Sequence, residues 1–140
     1  MIYRPRYFSL QELVSPEVFE ARGERAWELL DVYALITLDQ LRERFGKLTV
    51  NDWHWGGQFK YSGLRPFNAG PGDPFSQHRY GRAFDPKPKE IAAPTMHAAI
   101  LAEQDKFPHL RVIEAIEATP NWVHFDTRGH TRSGVWIVNP

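Results

Sequence analysis

Two short stretches of the chain carry the side chains best suited to chemistry. The first is Ser76-Gln77-His78-Arg79-Tyr80-Gly81-Arg82-Ala83-Phe84-Asp85, and the second is Trp122-Val123-His124-Phe125-Asp126. Together they offer His78, Asp85 and His124 as ligands for one metal ion. Two neutral imidazoles and one carboxylate are a sound zinc set that leaves a fourth position for water. Zinc held in this way brings the pKa of water towards neutrality and polarises a carbonyl. The chain has no cysteine, which removes thiolate nucleophiles, disulfides and sulfur-ligated metals. The remaining donors are imidazole and carboxylate, and they favour Zn2+. Gly81 and Ala83 lie between the first two ligands, and small residues there let the chain curl around an ion. Taken alone, His124 reads as a buried, hydrogen-bonded histidine. The His78–Asp85 stretch is what turns it into a ligand.

The elements that must position these residues are legible in part. Ser9-Leu10-Gln11-Glu12 reads as a capping box, and Ser15-Pro16-Glu17 as a helix start with Pro at the first helical position. Trp27, Leu30, Ala34, Leu38, Leu41 and Phe45 recur at spacings of three and four, which predicts one helix over 24–45 that stops at Gly46. Leu48-Thr49-Val50 reads as a short strand. Residues 51–77 read as a long connection rich in aromatic residues, Gly and Pro, and a connection of that length in a small domain is usually functional. A second helix is expected over 94–107, followed by β segments over 111–117, 122–128 and 134–138, with 118–121 as a hairpin loop. Helices followed by strands predict an α+β fold, with a small antiparallel sheet and helices packed on one side. His54, His97, His109 and His130 fit no ligand pattern.

Composition narrows the function classes. The chain has 140 residues, enough for a single domain over 1–140 with a real core. Lys+Arg and Asp+Glu are both 17, so there is no excess positive charge for a nucleic-acid backbone. No apolar run reaches the roughly 18 residues of a membrane span. The first residues lack the apolar region of a signal peptide, so the expectation is cytoplasmic synthesis. The oligomeric expectation is a monomer.

The pattern S-x-H-x-x-G-x-A-x-D, followed by H-x-D, resembles the signature of the zinc D-Ala-D-Ala carboxypeptidases. Their fold is shared with L-alanyl-D-glutamate endolysins and the hedgehog signalling domain. Tyr61-Ser62-Gly63-Leu64-Arg65 resembles the Ser-Gly-aromatic-Arg turn of that family, and Trp53-His54-Trp55-Gly56-Gly57 resembles a variant in short phage-encoded members. The matching motifs run from about residue 8 to 128. The resemblance implies a hedgehog/D,D-peptidase-like fold and a zinc peptidase that cuts peptidoglycan stem peptides, either as carboxypeptidase or as endopeptidase. It makes Arg65 the group that holds a substrate carboxylate or oxyanion, as a planar guanidinium can, and places Ser76 near the substrate. Tyr61, Gln58, Trp53 and Trp55 are candidates for the cleft wall. It also implies an endolysin-like protein that reaches the wall after holin release, or as part of a virion.

One position departs from the family. Many members carry an acidic general base three residues before the last ligand, where this chain has Asn121. Asparagine cannot take a proton from water. With a loop over 118–121, Glu117 pairs with Trp122 and falls on the face of His124, which makes Glu117 the first candidate for the base. A slip of one residue puts Glu114 there instead. Asp126 shares that face and is a third candidate, or a partner that orients His124. The alternative implied by Asn121 is a non-catalytic, zinc-bearing member that serves as a virion structural or wall-binding module.

Overall fold

A computed structural model describes residues 2–68 and 70–140. Met1 and Ala69 lie outside the described residues, Ala69 within the long connection expected over 51–77. The architecture is α+β. Among the described residues, three helices, α1 (Pro16–Arg22), α2 (Val32–Phe45) and α3 (Ala93–Ala102), accompany two small sheets. β1 (Leu48–Thr49) pairs antiparallel with β3 (Lys87–Pro88). The larger sheet has the order β2 (Ala83–Phe84), β5 (Phe125–Asp126), β4 (Val112–Glu114), β6 (Trp136–Val138).

The expected start signals are in place. Glu12 reaches back to the Ser9 amide at 2.8 Å. The Ser15 hydroxyl accepts the Val18 amide at 3.2 Å, with Pro16 opening α1. The expected helix over 24–45 is corrected, because it breaks before α2. Gly23–Leu29 winds as a 3-10 helix, Leu30 is extended, and Asp31 caps α2 by accepting the Ala34 amide at 3.1 Å. Tertiary bonds override the periodicity here. The Asp31 amide donates to Gly81 O at 2.9 Å, and Thr127 donates to the Asp31 carboxylate at 2.7 Å. The same apolar residues are still buried, since Trp27, Leu30, Ala34, Leu38, Leu41 and Phe45 all belong to the core. The second helix is also shorter than expected. It ends at Ala102, and a 3-10 turn, Gln104–Lys106, follows.

The larger sheet is mixed, which corrects the expectation of an antiparallel one. β5 runs antiparallel to β2 and β4, whereas β6 lies parallel to β4. Pairs Phe84↔Phe125 and Ile113↔Phe125 fix the register. These three side chains are fully buried in the core. The next row along the ladder is Asp85, His124 and Glu114, with the Glu114 amide donating to His124 O at 3.2 Å. Successive residues of a strand face opposite ways, so the apolar row secures one face and the polar row occupies the other. The expected register, with Glu117 opposite Trp122 and hence Ala115 opposite His124, is therefore corrected by one residue. The chain already turns over 116–118, so Glu117 is exposed beyond the ladder.

Gly81 is required twice. Its φ of +71° is a left-handed conformation that L side chains rarely adopt, and a Cβ there would lie 2.0 Å from the Leu29 carbonyl oxygen. Gly81→Ala should lower unfolding free energy by roughly 2 kcal/mol or more, since strain and a backbone clash add. Urea denaturation followed by tryptophan fluorescence reads this directly. An unchanged midpoint would refute the close approach of Gly81 to the Leu29 segment.

Candidate metal centre

Each ligand candidate arrives on a different local device. His78 sits in a 3-10 turn, Gln77–Tyr80, whose first amides need a cap. Ser76 Oγ accepts the His78 amide at 3.3 Å, and Gly81 closes the turn. The ring is aimed by Gly63, because His78 Nδ1–H donates to Gly63 O at 3.0 Å. Gly63 is there for space rather than for φ: a Cβ would meet Leu13 O at 2.1 Å. That approach is part of a bridge in which the Leu64 amide donates to Leu13 O and the Ser15 amide to Leu64 O. Asp85 follows β2 and His124 precedes β5, side by side in the polar row. Ala83, which lies between ligands, serves as a buried strand residue opposite Asp126 rather than as part of a tight curl.

The three side chains converge. Asp85 Oδ1 lies 2.9 Å from His124 Nδ1 and 3.2 Å from His78 Nε2. One ligand atom from each residue lies within 4.8 Å of the others, and all three residues are buried. His78 Nε2 is buried without a hydrogen-bond partner, although Asp85 is near. Its Nδ1 carries the proton given to Gly63 O, and Nε2 faces Asp85. A buried, unsatisfied nitrogen is costly in a native structure, and a cation at the point where the three donors meet would satisfy it. Two imidazoles and a carboxylate, converging and shielded from water, fit a metal ion.

The surroundings orient these donors. His124 Nε2–H donates to Asp126 Oδ2 at 3.0 Å, which fixes the ring with Nδ1 towards Asp85. Asp126 is in turn gripped by Arg128, whose Nε lies 2.8 Å from Oδ1 and whose terminal nitrogen lies 2.5 Å from Oδ2. Burial works against charge on His124, but hydrogen bonds to Asp126 and Asp85 outweigh it and raise its pKa. Burial likewise opposes ionisation of Asp85, yet the two imidazoles hold its pKa well below the usual range. For Asp126, burial is overcome by Arg128 and His124, and its pKa is lowered.

Arg65 and Glu114 flank the cluster. Arg65 reaches within 3.8 Å of Asp85 Oδ2, anchored by its Nε on Tyr61 O at 2.8 Å. Burial lowers its pKa, partly offset by Asp85. Glu114 Oε1 lies 3.8 Å from His124 Nδ1, and α3 supports its strand through His97 Nε2, 3.0 Å from Glu114 O. Glu117, the first candidate for a base, is not brought to the cluster. Its rival by one register step is.

A cleft of about 290 Å³ leads to this point, lined by Phe59, Tyr61, Arg65, Asp85, Lys87 and Trp122 among others. Gln58 also lines it. Trp53 instead donates its indole N–H to Val14 O at 2.9 Å and packs on Phe19, and Trp55 is exposed. A larger groove of about 520 Å³ lies on the other side of Arg65, between α1 and segment 64–68. None of the three ligand candidates lines it, so the smaller cleft is the approach to the cluster.

Three contributors escaped the sequence reading. Arg79 donates to the carbonyls of Pro66, Phe67, Gly70, Pro71, Gly72 and Asp73 and so shapes the connection beside Arg65. Asn51 joins Val14 O to the Ser62 amide. Lys87 is buried two residues beyond Asp85, and burial, opposed by Asp85, pushes its pKa down to about 8. The i, i+2 spacing from Asp85 was the available signal for Lys87. No protein-family model matches this chain, and neither does any curated protein or solved structure.

Equilibrium dialysis against a divalent metal should find one ion per chain. His78→Ala and His124→Ala should each abolish tight binding. Asp126→Asn should weaken it by about 10- to 100-fold by releasing the His124 ring. Unchanged affinity in all three variants would exclude the cluster as the binding site.

Proposed function

We propose that this chain is a zinc-dependent peptidase acting on peptidoglycan stem peptides, with a hedgehog/D,D-peptidase-like fold. The observation that carries the reading is the convergence of His78 Nε2, Asp85 Oδ1 and His124 Nδ1, with the first of these buried and unpartnered. The motif resemblance of these same residues supplies the substrate class. Imidazole and carboxylate donors make zinc the preferred ion.

When bound, zinc would supply Lewis-acid polarisation of a carbonyl and a more acidic water. The protein's own residues do the rest. Arg65 stands beside the cluster and lines the cleft, where its guanidinium can hold a peptide carboxylate or an oxyanion. Glu114 takes the proton of the attacking water and returns it to the departing amine, the role that Asn121 cannot fill. Asp126 keeps His124 in one orientation, and Arg128 neutralises Asp126. Phe59, Tyr61 and Trp122 form an apolar wall for the peptide.

The reading is tested with zinc-loaded protein and muropeptides that carry L,D and D,D linkages. Release of D-Ala, or scission of a stem peptide, is expected, and a chelator should stop it. Glu114→Gln should lose about 100-fold or more of turnover while retaining zinc, whereas Glu117→Gln should stay within about twofold of wild type. Zinc retention without cleavage of any linkage would overturn the peptidase reading in favour of a zinc-bearing wall-binding module.

A further inference from the structure

Lys87 is the only buried lysine among the described residues. Its ammonium donates to Ser62 Oγ at 2.7 Å, Val50 O at 2.9 Å and Asp85 O at 3.1 Å. The Phe59 ring covers it, with its centroid 4.2 Å from Nζ. All three N–H bonds of the ammonium therefore have acceptors within the protein, and none is left for a substrate. An apolar side chain of similar length would fill this place without the cost of burying a charge. What the charge adds is a junction between three segments: the end of β1, the turn over 61–65, and the strand region that carries Asp85.

Ser62 is the other half of the junction. Its carbonyl accepts the Asp85 amide at 2.8 Å, and its own amide donates to Asn51 Oδ1 at 2.9 Å. The main chain of Asp85 is thus held at both ends, by Ser62 at its N–H and by Lys87 at its C=O. The same turn bears Gly63, whose carbonyl aims His78, and Arg65, which faces the second oxygen of Asp85. A shift of this turn relative to Asp85 would move His78 and Arg65 together.

We propose that Lys87 is a positioning residue of the metal centre. Through Ser62, it locks the Asp85 main chain to the turn that orients His78 and Arg65. The inference rests on the metal-binding reading of the His78, Asp85 and His124 cluster, and it adds the device that keeps their mutual geometry within the few tenths of an ångström that tight binding needs.

The test uses the full chain with Lys87→Met, Ser62→Ala and the double variant. Zinc affinity is read by competition with a chromophoric chelator, ligand geometry by the visible absorption of the Co2+ form, and stability by thermal unfolding without metal. Lys87→Met is expected to weaken zinc binding about tenfold or more and to alter the Co2+ spectrum. Ser62→Ala should act in the same direction by less, and the double variant should be no weaker than Lys87→Met within about twofold, since both act through one junction. Zinc affinity within twofold of wild type together with an unaltered Co2+ spectrum in Lys87→Met would overturn the proposal, whatever happens to the melting temperature. Should Lys87→Met not fold, Ser62→Ala decides: unchanged affinity and spectrum overturn the proposal. Failure of the wild-type chain itself to bind zinc overturns the metal-binding reading instead.

Discussion

A carboxylate removed from water must be surrounded by hydrogen bonds and positive charge, or it will not stay ionised. Asp85 is in that position, and much of the structure answers to it. One oxygen faces two imidazoles and the other faces Arg65, while its peptide group is held by Ser62 and Lys87. Ser62 and Arg65 share the turn over 61–65, whereas His78 and His124 come from separate stretches of chain. They meet only because the turn over 61–65, the 3-10 turn at His78 and the edge of the sheet are packed together. Gly63 and Gly81 mark the two places where that packing brings one backbone against another so closely that no Cβ fits.

The charges around Asp85 are arranged in layers. Asp126 is fully buried, but its charge is taken up by Arg128 through a two-point grip, so it acts on His124 by hydrogen bonding rather than by adding a free negative field. Lys87 is committed to backbone and hydroxyl oxygens. That leaves Arg65 and Glu114, only partly exposed, as the charged groups nearest the ligand cluster. One is a cation suited to a carboxylate or oxyanion, and the other is a carboxylate suited to accepting a proton. A carboxylate and a guanidinium beside a candidate metal site are the groups that the proposed hydrolysis would use.

The sequence exposed the candidate ligands better than it exposed their geometry. His78, Asp85 and His124 stood out because their residue types and spacing form a pattern, and Ser9, Ser15 and Gly46 stood out because cap chemistry is local. The candidate base did not, because a strand's faces alternate with every residue. The hairpin loop was expected over 118–121, whereas the chain already turns at 116–118, and the resulting register, one residue from the expected one, puts Glu114 rather than Glu117 beside His124. The helix over 24–45 failed for another reason. Asp31 leaves the helical pattern to bond Gly81 and Thr127, partners 50 or more residues away that no local periodicity reveals. β2 and β3 are two residues each, too short to show a period, and the parallel placement of β6 depends on the path of 127–135 rather than on its composition.

The same alternation also explains why the site can hold its geometry. Phe84, Phe125 and Ile113 lie in one row of the sheet and are fully buried, and Asp85, His124 and Glu114 form the row beside them. To slide β5 by one residue against its neighbours would bring His124 into the core and lift Phe125 out of it. The loss of buried aromatic area, on the order of several kcal/mol with the stranded imidazole included, forbids that slip. The register that places His124 between Asp85 and Glu114 is thus enforced from the apolar side of the sheet. The placement of the polar row is therefore specified by packing on the other face, and hydrogen bonds with Asp126 and Lys87 complete its alignment, while the Gly63 carbonyl aims His78 towards it.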